Sequence, residues 1–167
     1  IYNMFCKLKY CETVMLTNVA GSGQYSFAMN SLFDPNQSGI GAQPMGFDQW
    51  CNANAFYSHY EVLASRIVVQ CLAPDTNPAG FVIYPSIDST ASIDYQIARQ
   101  FPYAKSKTIT STTSSPSVWL TNYMNIKKLE GRSTDSVNFT AQYNTNPSAL
   151  RYWHIVLESF GGADIGR

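Results

Sequence analysis

One stretch of this chain has the spacing of an ion-binding loop. Asp34-x-Asn36-x-Ser38-Gly39 sets oxygen donors at alternate positions before a glycine, as the start of a calcium-binding EF-hand loop does. The pattern fails at its last ligand position, where Met45 stands in place of a bidentate glutamate. Pro35 and Pro44 also interrupt it, and the residues before it alternate like a strand. An Asx/Pro/Gly turn accounts for the same residues without an ion. Zinc requires roughly four clustered Cys or His ligands. Cys6, Cys11, Cys51, Cys71, His59 and His154 show no such spacing. The expectation is no metal and no cofactor.

Catalytic patterns are equally sparse. There is no GxSxG, HExxH or P-loop sequence, and Gly21-Ser22-Gly23 reads as a turn. No close Asp/Glu pair suggests glycoside hydrolysis. An enzyme is not expected. Cys6 and Cys11 fall on opposite faces of a strand-like segment, so they do not readily bridge. All four thiols are expected to be free and buried. Asn36-Gln37-Ser38 and Asn138-Phe139-Thr140 match the glycosylation sequon, which carries weight only in a secreted chain.

The remaining chemistry is electrostatic. Lys7, Lys9, Arg66, Lys127 and His154 each fall on the non-core face of an expected strand. Trp119 and Tyr123 share that face and have rings able to stack on bases. The formal net charge is zero, from 11 basic and 11 acidic residues, so any nucleic-acid site must be a local patch. A solvated or intersubunit face with scattered lysines is the plainer alternative.

These residues need strands to position them. Alternation or β-branched enrichment marks 5–17, 24–30, 60–73, 79–86, 103–110, 118–128, 136–143 and 150–160. Short helices are expected within 47–59 and 87–102. In the last strand Trp153, Ile155 and Leu157 face the core, with Tyr152, His154 and Glu158 outward. The expected architecture is all-β: one domain over 1–167, an eight-stranded antiparallel jelly-roll sandwich. Counted this way, the first, third, sixth and eighth strands share a sheet and carry the basic residues.

Only 13% of residues are charged, about half the usual share, while 14% are aromatic. That balance suits a surface covered by other protein. No apolar run approaches membrane-spanning length, so membrane insertion is not expected. The loop from Asn30 to Tyr60 is rich in large apolar groups that must be buried against the sheet or a neighbouring subunit. Phe47, Trp50, Phe56 and Tyr57 are the expected subunit-interface anchors.

Gln24-Tyr25-Ser26-Phe27-x-x-Asn30-Ser31-Leu32-Phe33-Asp34-Pro35, followed by Gly39-x-Gly41-x-Gln43-Pro44-x-Gly46-Phe47-Asp48-Gln49-Trp50, resembles the capsid proteins of circular, Rep-encoding single-stranded DNA viruses, the circovirus-like group. Tyr123-Met124-Asn125-Ile126-Lys127-Lys128-Leu129-Glu130-Gly131 resembles a later segment of the same proteins. The resemblance implies a single capsid jelly roll that self-assembles into a T=1 icosahedral shell. The implied partners are other copies of the chain, a circular single-stranded DNA genome and a host receptor. The implied location is the virion, with assembly in the host nucleus. Members of this group usually carry an arginine-rich N-terminal arm, and this sequence shows none. Loops Asp75–Pro78 and Ser111–Ser117 are expected to meet the host. The alternative reading is a carbohydrate-binding jelly-roll module.

Overall fold

The computed structural model describes residues 3–16, 21–38, 42–72, 77–92, 94–109, 117–131 and 137–160. Gly39 and Gly41 of the long loop, most of the two loops expected to meet the host, and the tail after Phe160 lie outside the described residues. The described elements are β1 (Ser22–Ala28), α1 (Phe47–Trp50), β2 (His59–Glu61), β3 (Ala64–Leu72), β4 (Ala79–Ser86), α2 (Tyr95–Ala98), β5 (Lys105–Ile109), β6 (Ser117–Asn125), α3 (Ile126–Glu130), β7 (Thr140–Gln142) and β8 (Tyr152–Ser159). The chain is predominantly β, and every ladder between these strands is antiparallel.

Four strands form a sheet in the order β1-β8-β4-β5, while β3–β6 and β2–β7 form separate pairs. The main core contains Phe81, Ile83, Trp153 and Ile155 from the large sheet and Leu120 and Met124 from β6. Ile67, Val69 and Cys71 of β3 pack on it from the edge. Trp153 Nε1 donates to Ser65 Oγ at 3.0 Å, which ties β8 to β3 through the one polar atom of the indole.

Every residue of β4 is buried. Alternate side chains point to opposite faces of a sheet, so both faces must be covered. Phe81 and Ile83 enter the main core, whereas Val82 and Tyr84 join Val156, Tyr95 and Ala98 in a second cluster. Asp94 starts α2, its carboxylate accepting from the backbone N–H of Gln96 and Ile97 at 2.7 and 3.2 Å. Gly80 gives this layer its close approach: a Cβ there would lie 2.6 Å from Tyr95 Cζ and 2.7 Å from Phe160 Cζ.

Three expectations are corrected. Of the expected strand 5–17, the described residues 5–16 are not a strand and have no ladder partner. Their alternation reflects one resting face instead. Leu8, Tyr10, Val14 and Leu16 are half-buried, and Leu8 packs against Phe47, Cys51 and Tyr60. As a result Cys6 and Cys11 are exposed, while Cys51 is buried and Cys71 intermediate. The run 60–73 divides at Val62–Leu63, β2 pairing with β7 and β3 with β6. Finally, β8 lies between β1 and β4 and not beside β3–β6, so the supposed outward face of His154 is covered.

Candidate assembly loop and nucleic-acid face

The long loop builds its own scaffold before it presents anything. Pro44 is buried, and its carbonyl accepts from Phe47 N–H at 3.0 Å. Gly46 has φ 86°, a left-handed turn that glycine adopts without a Cβ clash. That turn drives Phe47 inward to 2% exposure, where its ring meets Tyr60 edge-on at 5.3 Å. Phe47 is therefore a core residue, which corrects its assignment to a subunit interface.

The next residues fold back on themselves. Cys51 N–H donates to Phe47 O at 2.9 Å, Tyr57 N–H to Trp50 O at 3.2 Å and Asn52 N–H to Tyr57 O at 3.2 Å. Tyr57 rests half-buried against the Phe47 cluster. Trp50 and Phe56 turn the other way and are 44% and 90% exposed. Met45 is exposed on the same loop.

Polar side chains anchor this loop at both ends. Asn30 donates to Ala149 O at 2.9 Å and accepts from Arg151 N–H at 2.8 Å. Ser31 Oγ donates to Asn146 Oδ1 at 2.6 Å and accepts from Asp34 N–H at 2.9 Å. Tyr60 OH donates to Thr145 O at 2.9 Å. Buried polar groups with fixed partners of this kind specify one loop conformation.

The calcium-like sequence is part of the same scaffold. Asn36 donates to both Glu12 oxygens, at 3.1 and 2.9 Å, and its Oδ1 accepts from Ser38 N–H at 3.0 Å. It is an Asx turn with a buried amide, and this burial leaves the first sequon's asparagine no room for a glycan. Asp34 Oδ1 is buried without a hydrogen-bond partner, and desolvation raises its carboxyl above the ordinary value, partly offset by the Asn36 N–H. Among the described residues no three His, Cys, Asp or Glu side chains converge as a metal site would require.

The basic residues divide. Lys7 and Lys9 are exposed on the irregular N-terminal segment, and Lys127 is exposed on α3. Arg66 is exposed on β3, directly opposite Tyr123 in the β3–β6 register. His154 is 0% exposed, with Nδ1 at 2.6 Å from Ser26 Oγ and Nε2 at 2.7 Å from Asp88 O. It is excluded from any nucleic-acid face. Burial pushes its imidazole below the usual value, opposed by the Asp88 carbonyl and carboxylate.

Trp119 and Tyr123 remain on the outer face of β6, 56% and 58% exposed. Lys107 Nζ donates to Trp119 O at 2.9 Å and Lys105 Nζ to Thr121 O at 3.2 Å. The two lysines close the seam between β5 and β6 and occupy carbonyls of an edge strand. Their alternation in 103–110 was the available sequence signal. The seam itself depends on how β5 of the four-stranded sheet meets β6 of the β3–β6 pair. No family model matches the chain, and neither a curated protein nor a solved structure matches it.

Proposed function

We propose that this chain is a structural shell protein: a capsid subunit of the circovirus-like kind that assembles with copies of itself around a single-stranded DNA genome. The observation that carries the reading is the described part of the loop 30–60, packed and hydrogen-bonded beneath, with large apolar side chains exposed outside. Its scaffold is fixed by Phe47, Tyr60, Asn30, Ser31 and Asn36, yet Met45, Trp50 and Phe56 face outward. A pre-ordered loop with projecting aromatics loses little entropy on docking and excludes water at a contact. Low charge and an apolar strand β3 whose outer edge has no partner among the described residues point the same way.

Strand order supports the finer architecture, a single jelly roll. That fold places its second, seventh, fourth and fifth strands in one sheet and pairs the third with the sixth in the other. If residues 5–16 take the first position and the short β2–β7 pair is left out of the count, β8 takes the seventh place, and β1-β8-β4-β5 and β3–β6 have this order. The position beside β3 is unfilled among the described residues. Cross-linking a cysteine placed at Val68 would identify what lies along that edge.

The test of function is negative-stain imaging of the purified protein with sedimentation at neutral pH and moderate salt. Closed particles of one size support the shell. A small species that binds glycans saturably and never assembles supports the carbohydrate-binding alternative.

A further inference from the structure

We infer that the outer face of β3–β6, with the β5 lysine seam, is a binding strip for single-stranded nucleic acid. The inference rests on the shell reading for its partner, the enclosed genome, and names the surface that would hold it. Strands β3, β5 and β6 together carry Arg66, Lys105 and Lys107 and no carboxylate. In a chain of zero net charge this is a local excess of positive charge. Trp119 and Tyr123 stand on one face of β6, four residues and roughly 13 Å apart along the strand. Gln70 lies opposite Trp119 in the register, and Arg66 opposite Tyr123.

Each ring is therefore paired with a long polar side chain, and the lysine amines line the adjoining edge. Each lysine uses one donor on a β6 carbonyl and keeps two N–H groups for phosphate oxygens. Lys128 holds its amine at 4.9 Å over the ring of Tyr103, two residues before β5. Flat rings flanked by cations, on three strands that carry no carboxylate, fit a ligand that is itself flat-ringed and polyanionic. A neutral glycan has no use for the cations. A duplex buries the base faces that the rings would stack on.

The probe is a fluorescein-labelled oligothymidine titrated into the full chain and read by anisotropy. Trp119→Ala and Tyr123→Ala should each weaken binding about tenfold, and Trp119→Phe should keep most of it. Arg66→Gln should lower the slope of log affinity against log salt by roughly 0.7, the loss of one contact to a single strand. Sedimentation of the same variants separates this claim from the shell. Normal particles with weakened oligonucleotide binding support the strip. Unchanged binding in the Trp119→Ala/Tyr123→Ala double variant overturns it, whether or not particles form. Loss of particles in Trp119→Phe and Arg66→Gln also overturns it, because the face would then be a contact between subunits. Saturable binding of a neutral oligosaccharide that competes with the oligothymidine overturns it in favour of sugar recognition.

Discussion

Ser26 on β1 and His154 on β8 face each other in register and share a hydrogen bond, Oγ to Nδ1, at 2.6 Å. Asp88 O, at 2.7 Å from Nε2, is only an acceptor, so the neutral ring carries its proton on Nε2 and takes one from Ser26 at Nδ1. Tyr84 and Tyr152 close the site at 5.2 and 5.9 Å between ring centres. A second proton must displace the Ser26 donation around a fully buried ring.

This arrangement predicts a pH-dependent stability. The folded His154 pKa lies below 6.5, so between those two values the unfolded chain binds more protons. Stability is full above the unfolded value and declines as pH falls through that window. Asp34 acts with the opposite sign: its raised pKa favours the folded state as pH falls into the carboxylate range. The urea midpoint should therefore fall from pH 7 to pH 5, and His154→Gln should flatten that change. An equal slope in both proteins would remove His154 as its source.

The loop separates scaffold from surface, and substitutions should do the same. Phe47→Ala removes a buried ring and should cost about 3–5 kcal/mol of folding stability. Phe56→Ser should change monomer stability by no more than about 0.5 kcal/mol, since its ring is exposed. It should nevertheless reduce assembly. Denaturant titration beside sedimentation of each variant checks the pair; parallel losses in both assays would contradict the division.

Gly80→Ala places a methyl group against the rings of Tyr95 and Phe160. Both must shift, at a cost of about 1–3 kcal/mol, and α2 should loosen first. Hydrogen exchange across 92–101 measures this. Protection equal to the wild type would show that the rings move freely.

Glu130 and Arg151 form an ion pair whose side chains are almost wholly buried, and the guanidinium lies over the Phe139 ring at 5.3 Å. Glu130→Ala leaves that cation without its counter-charge and should cost about 3–5 kcal/mol. Replacing both partners with apolar residues should recover much of the loss. Melting curves of the single and double variants distinguish this from a simple packing defect.

The sequence made the strands of the large sheet legible because their alternation has one answer. Trp153, Ile155 and Leu157 face the core as their period requires. His154 was misplaced because period 2 reports which residues share a face, not whether α2 and its approach cover that face. Residues 5–16 show the same limit, since their half-buried row rests on a loop and not in a ladder. Phe47 and Trp50 look equivalent as aromatics three apart. Only the left-handed turn at Gly46 decides that one is core and the other surface. The ion pair of Glu130 and Arg151, far apart in sequence, left no local trace.

The central claim is assembly, and the particle is its direct observable. Electron microscopy of the purified chain at neutral pH and moderate salt should show closed spherical shells of uniform diameter. Phe56→Ser should shift the population toward free subunits without unfolding them. A folded, monodisperse small species for the wild type, unchanged across pH and salt, would contradict the account.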